Sequence, residues 1–126
     1  MPAESNASAG PRRLKGDAIE RVACRHLEHH GLTLIERNYR SPFGEIDLVM
    51  RDRETIVFVE VRYRQHTRFG LPAETVDARK QARLRATAEH YLQRDSRACN
   101  RPCRFDIVAV TEDSAGEHLD WLQNAF

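Results

Sequence analysis

Residues 55–64, Thr-Ile-Val-Phe-Val-Glu-Val-Arg-Tyr-Arg, constrain this fold more than any other stretch. Read as a strand, Val57, Val59, Val61 and Tyr63 share one face, and Ile56, Phe58, Glu60, Arg62 and Arg64 share the other. A run that is mostly apolar on both faces belongs to a buried central strand. Glu60 and Arg62 are then charges set in the middle of a sheet, where an unpaired carboxylate is costly.

A second strand-like run precedes it at residues 45–50. There Glu45, Asp47 and Val49 share one face, and Ile46, Leu48 and Met50 the other. The residues between the runs, Arg51-Asp52-Arg53-Glu54, are few and polar, which predicts a β-hairpin. The turn has no glycine, so its register is open. A turn centred between Arg53 and Glu54 sets Asp47 opposite Glu60 and Glu45 opposite Arg62, with facing Cβ atoms about 5 Å apart. A slip of one residue would send the two carboxylates to opposite faces.

Two carboxylates that close repel unless a cation lies between them or one takes up a proton. Mg²⁺ is commonly held by one or two carboxylates, with water and a substrate phosphate completing its shell. Phosphodiester hydrolysis needs such a metal to polarise phosphoryl oxygens and activate water, and a cation near the developing negative charge. Asp47 and Glu60 are the candidate ligands for Mg²⁺ or Mn²⁺, and Arg62 the candidate cation. Arginine stays protonated, so Arg62 can orient or stabilise but cannot act as a base. The competing reading is structural: Arg62 pairs with Glu45 and Asp47 on a solvated sheet face. Phe58 and Ile56 weigh against it, because they suggest that the face is covered.

The remaining chain supplies the flanking layers. Residues 1–13 are rich in Ala, Ser, Asn and Pro and are expected to form a mobile arm, leaving residues 14–126 as a single domain. A helix is predicted over residues 16–29, ended by Gly31 at C′. Its inward stripe of Ala23, Cys24 and Leu27 includes Glu20, an odd place for a carboxylate. A strand over residues 32–39 leads to the turn Ser41-Pro42-Phe43-Gly44. After Gly70-Leu71-Pro72 a second helix is predicted over residues 76–93, packing through Gln81, Leu84, Ala88, Tyr91 and Leu92. Arg79, Arg83, His90 and Arg94 lie on its other face and read as a solvated surface. Residues 104–111 read as a strand covered on both sides, and residues 118–122 as a last short strand. Helix, three strands, helix and two strands make a mixed sheet flanked by helices.

Composition sets the outer limits. A chain of 126 residues, 31% charged and 40% hydrophobic, supports one domain with one modest core. Its formal net charge of +1 makes no case for a polyanionic partner, so any positive surface must be local. No apolar run approaches the ~20 residues that span a bilayer, and residues 1–11 lack the apolar segment of a secretory signal. No membrane association and a cytoplasmic location are therefore expected. Cys24, Cys99 and Cys103 form no disulfide framework, and with His26 they do not supply the paired spacing of structural zinc. Free thiols are expected.

Several stretches together resemble a known family. They are Gly16-Asp17-Ala18-Ile19-Glu20, Arg37-Asn38-Tyr39-Arg40, Gly44-Glu45-Ile46-Asp47-Leu48-Val49, Val57-Phe58-Val59-Glu60-Val61-Arg62, Lys80 and Arg104-Phe105-Asp106. In this order they closely resemble the bacterial YraN-type family of uncharacterised proteins, over nearly all of residues 16–126. That family is similar in fold to restriction endonucleases and archaeal Holliday-junction resolvases. The resemblance implies a restriction-endonuclease-like α/β domain with a central mixed sheet of about five strands. It also implies a metal site built from a helix Glu, a strand Asp and a Glu-X-Lys strand.

By position, Asp47 is the strand Asp and Glu60 the Glu of the tripeptide, while Glu20 resembles the helix carboxylate. Arg62 stands where the nuclease pattern has Lys, and the two residues are not interchangeable at a tightly specified site. The implied function is a metal-dependent nuclease acting on DNA, with branched or damaged structures as candidate substrates. The alternative is a non-catalytic nucleic-acid-binding or adaptor module that keeps the fold, and a protein-interaction domain is a third reading. A homodimer would suit junction or duplex cleavage, because two sites then address two strands.

Other polar residues carry weaker expectations. Arg40 and Arg64 flank the site and are candidates for phosphate contacts. Lys80 either reaches a phosphate or pairs with Asp77, one turn earlier. Asp106 is expected to make structural hydrogen bonds or to pair with Arg104. His66 follows the tripeptide strand and reads as a surface residue with the option of carrying a proton. Trp121 and Phe126 are expected to pack the C-terminal segment down.

Overall fold

The computed structural model describes residues 11–64, 76–95, 98 and 100–126. The elements are α1 (Pro11–His29), β1 (Thr33–Ser41), β2 (Gly44–Asp52), β3 (Thr55–Arg64), α2 (Ala78–Arg94), β4 (Cys103–Asp113) and β5 (Gly116–Leu122). The strands form one sheet in the order β1-β2-β3-β4-β5. All neighbours are antiparallel except β3 and β4, which run parallel because α2 lies between them in the chain. The architecture is α/β, a five-stranded mixed sheet with two flanking helices, consistent with a restriction-endonuclease-like fold.

Local chemistry explains the element ends. Gly31 takes φ +96, and Leu32 N–H reaches back to Leu27 O at 3.1 Å while Gly31 N–H reaches Glu28 O at 3.0 Å. This is a Schellman stop, as the C′ glycine predicts. α1 begins at Pro11, five residues before the expected start at Gly16; residues 1–10 of the expected arm lie outside the described residues. The α2 start is capped by Asp77, whose Oδ1 accepts the Lys80 backbone N–H at 2.8 Å. Gly70, Leu71, Pro72, His66 and Cys99 also lie outside the described residues. Cys24 and Cys103 are free thiols.

The sheet buries both faces. Ile56, Phe58, Phe105 and Ile107 pack with Leu84, Ala88 and Tyr91 of α2. Val57, Val59, Val108 and Val110 pack with Ile19, Ala23 and Leu27 of α1. This is the two-sided burial expected of the valine-rich central strand. The C-terminal segment is packed down: Phe126 stacks on Phe105 with centroids 4.9 Å apart, and Ala125 N–H donates to Phe105 O at 2.7 Å.

One expectation fails in an informative way. Ile46 should share a face with Leu48 and Met50, yet it packs on the α2 side with Val49, while Leu48 and Met50 face α1. The alternation breaks at Asp47. On the neighbouring strand Asn38 takes the left-handed φ of 52, between the pairs Arg37↔Leu48 and Tyr39↔Ile46. A left-handed residue inside a strand turns the chain that follows it, and asparagine is among the few side chains that tolerate this.

Candidate active site

The hairpin register is the one a turn centred on Arg53-Glu54 gives. Asp52↔Thr55, Arg51↔Ile56, Met50↔Val57, Val49↔Phe58 and Leu48↔Val59 are paired. Arg53, at φ 58, takes the left-handed conformation that a glycine would otherwise supply. The ladder ends at Leu48↔Val59, one step before Asp47 and Glu60 would pair. Beyond it, the Val61 N–H donates to Asp47 Oδ2 at 2.8 Å instead of to a β2 carbonyl. The two strands separate there, and the Asp47 side chain enters the gap.

That gap opens into a cleft of about 370 Å³ lined by Gly44, Glu45, Asp47, Glu60, Val61, Lys80, Arg83 and Leu84. Glu60 is buried, at 7% exposure, on the α2 side of β3. Its Oε2 lies 2.6 Å from Lys80 Nζ and 3.7 Å from Arg62 NH1. Glu20 reaches the same region from α1: its carboxyl hydrogen-bonds Asp47 and Asn38. With its amide nitrogen toward the carboxylates, Asn38 donates to Glu45 Oε2 at 3.0 Å and to Glu20 Oε1 at 3.2 Å.

Burial is the main electrostatic force at Asp47. It holds the carboxyl up to about 8, the nearby charge of Glu60 adds to the effect, and the Val61 N–H opposes it. Burial also raises Glu20, with the Asn38 amide opposing and the charges of Asp17 and Glu45 adding. Asp47 therefore keeps its proton well above the ordinary carboxylate range. A site that retains a proton between crowded carboxylates is one where a cation would be welcome.

No group of three or more His, Cys, Asp or Glu side chains suited to holding a metal ion occurs among the described residues. Magnesium does not need one, since one or two carboxylates suffice when water and a phosphate complete the shell. Asp47 and Glu60 are hard oxygen donors of that kind, and both line the same cleft. The residues present fit Mg²⁺ or Mn²⁺.

Asp47, Glu60, Arg62 and Glu20 come together where β2 and β3 part. Arg62 is largely buried, with a side-chain exposure of 15%, so the solvated-face reading fails. Lys80 pairs with Glu60, while Asp77 serves as the helix cap for its backbone. Arg40 is exposed and pairs with Glu45 at 3.9 Å. Arg64 ends β3 opposite Thr111. Arg94 stands over the Tyr39 ring and lies 3.8 Å from Glu36.

Asp106 is fully buried away from the cleft. It accepts bonds from Arg104 Nε, Trp121 Nε1 and the Asn124 N–H, each at 2.9 Å, and its role is structural as expected. Two residues in or beside the cleft lie outside the candidate site residues that the sequence offers. Asn38 was visible as a turn-forming residue inside a strand-like run. Arg83, read as solvated surface, is exposed but also lines the cleft.

Comparison with known proteins places the chain. The Uncharacterised protein family UPF0102 matches residues 19–110. A UPF0102 protein of Nitrosococcus oceani is 50% identical over 114 residues, 90% of this chain and 92% of that protein. One of Pseudomonas putida is 49% identical over 121 residues, 95% of this chain and 98% of that protein. One of Pseudomonas fluorescens is 50% identical over 111 residues. The chain belongs to the UPF0102 family, the YraN-type family that its motifs resemble.

Proposed function

We propose that this protein is a metal-dependent nuclease that hydrolyses phosphodiester bonds in DNA. The observation that carries the reading is the meeting of Asp47 and Glu60 where β2 and β3 part, with Asp47 held up to about 8 and Glu60 buried against Lys80. Asp47 and Glu60 would hold Mg²⁺ or Mn²⁺, which supplies the charge that polarises phosphoryl oxygens and activates water.

The chain's own residues supply the rest. Arg62 and Lys80 are fixed cations at the point where negative charge grows as the bond breaks. Lys80 brings an ammonium to Glu60 from α2, so the arginine in the tripeptide does not leave the site without a lysine. Glu20 reaches Asp47 from α1 and is suited to orient water beside it. Arg40 and Arg83 stand outside the carboxylates as candidates for contacts to flanking phosphates.

The test is calorimetric titration of Mn²⁺ into wild type, Asp47→Ala and Glu60→Ala, with branched and linear DNA offered in parallel. Metal binding and cleavage by wild type alone are expected. A wild type that binds no metal and cuts neither substrate would overturn the reading. Salt-sensitive DNA binding without cleavage, unchanged in Asp47→Ala, would favour the non-catalytic adaptor.

A further inference from the structure

The turn between β1 and β2 carries Phe43 at its tip, 53% exposed. A single exposed phenylalanine is ordinary on a protein surface. Phe43 differs in how firmly its turn is held and in what stands beside it. Its N–H donates to Ser41 Oγ at 3.0 Å, and that hydroxyl lies 3.2 Å from Thr87 Oγ1 in the middle of α2. Thr87 is fully buried, and its own hydroxyl donates to Arg83 O at 2.8 Å. A Cβ built on Gly44 would come within 3.3 Å of Thr87 Oγ1, so the turn sits directly on the helix. The Phe43 ring meets His90 edge-on, at 6.3 Å between centroids, which leaves much of its surface in water.

The next two residues, Gly44 and Glu45, form part of the cleft wall together with Arg83. Arg40, with a side chain 75% exposed, lies just before the turn. A firmly mounted aromatic ring thus stands one residue along the chain from the wall of a carboxylate cleft, with the exposed Arg40 three residues before it and the exposed Arg83 packed beside Gly44. Cations track a phosphate backbone, and an aromatic ring offers a face for a base. In an intact duplex each base is already covered by its neighbours, so only an unpaired or unstacked base can use such a ring.

We infer that Phe43 is a stacking platform for an unpaired nucleobase at the mouth of the carboxylate cleft, and that the substrate is DNA with a single-stranded segment. The inference rests on the reading of the cleft as a phosphodiester site.

The test is a metal-free titration of a single-stranded oligodeoxynucleotide containing 2-aminopurine, and of the same sequence as blunt duplex. Full-length wild type, Phe43→Ala, Phe43→Leu and Phe43→Trp are compared by anisotropy and by 2-aminopurine quenching, after melts confirm that each variant is folded. Loss of one stacked base predicts single-strand affinity at least about fivefold weaker in the alanine and leucine variants. Duplex affinity should move less than twofold, and the tryptophan variant should keep both affinity and quenching. Wild-type affinity in the alanine variant, equal losses on duplex and single strand, or no binding by wild type would each overturn the platform. The two readings separate cleanly. A wild type that quenches the probe but never cuts with Mn²⁺ removes the nuclease and keeps the platform. Cleavage with unaltered single-strand binding in Phe43→Ala removes the platform alone.

Discussion

Lys80 Nζ lies 2.6 Å from Glu60 Oε2, joining the second helix to the centre of the sheet. The oxygen it occupies is also the one nearest Arg62, at 3.7 Å. The ammonium therefore stabilises a buried carboxylate from an element far away in sequence. It also stands where a divalent ion on Glu60 would compete with it.

That competition makes Lys80→Met a two-sided probe. Without metal, Glu60 loses its closest counter-charge, and stability should fall by about 1–2 kcal/mol, less than for a fully buried pair because Lys80 is partly exposed. With metal, the variant should bind Mn²⁺ more tightly than wild type and regain more of its Tm on saturation. Thermal melts across a Mn²⁺ series read both effects. Equal melting and equal metal affinity in the two proteins would show that the pair does not compete with a cation.

Asp47 predicts a direction of pH dependence. Its folded-state carboxyl is raised from 3.8 to about 8, chiefly by burial and then by the charge of Glu60. Between those values the folded protein binds a proton that the unfolded chain has lost, so stability falls as pH rises through this window. The slope is up to about 1.4 kcal/mol per pH unit for one proton. Asp47→Asn keeps an oxygen for the Val61 N–H and should flatten this slope, with a higher Tm than wild type near pH 8. Denaturant titrations at pH 5, 6.5 and 8 test it, and parallel slopes in the two proteins would contradict the assignment. Mn²⁺ affinity should rise over the same window, because the metal needs the ionised carboxylate.

Asp106 should be the most damaging carboxylate to remove, although it lies outside the cleft. Asp106→Ala strands donors from Arg104, Trp121 and Asn124 in a fully buried place and should cost about 3–5 kcal/mol. Trp121 is the single tryptophan, so its emission reports on this network directly. A red-shifted spectrum and a lowered denaturation midpoint are expected.

Asn38 separates backbone from side-chain roles. Asn38→Gly accepts the φ of 52 and should keep the fold, while losing the amide that bridges Glu20 and Glu45. Asn38→Val adds the strain of a β-branched residue in the left-handed region and should lower stability by about 1–3 kcal/mol. Metal affinity that drops in both variants, with stability lost mainly in valine, is the expected pattern. Unchanged metal affinity in the glycine variant would remove Asn38 from the site.

Much of this arrangement is legible along the chain because its causes are local. Near-continuous apolar runs mark β3 and β4 as covered on both faces and Gly31 stops α1, while the glycine-free turn at Arg53-Glu54 leaves open the register that the structure then fixes. Glu20 betrays itself as a carboxylate on an apolar stripe. The tertiary structure alone decides that the β2–β3 ladder stops at Leu48↔Val59, that Ile46 changes face, and that Lys80 reaches Glu60 instead of Asp77. Those outcomes depend on how one element is seated on another. Periodicity and turn chemistry describe a strand or helix by itself; which charge meets which carboxylate is decided only when α1 and α2 close on the two faces of the sheet.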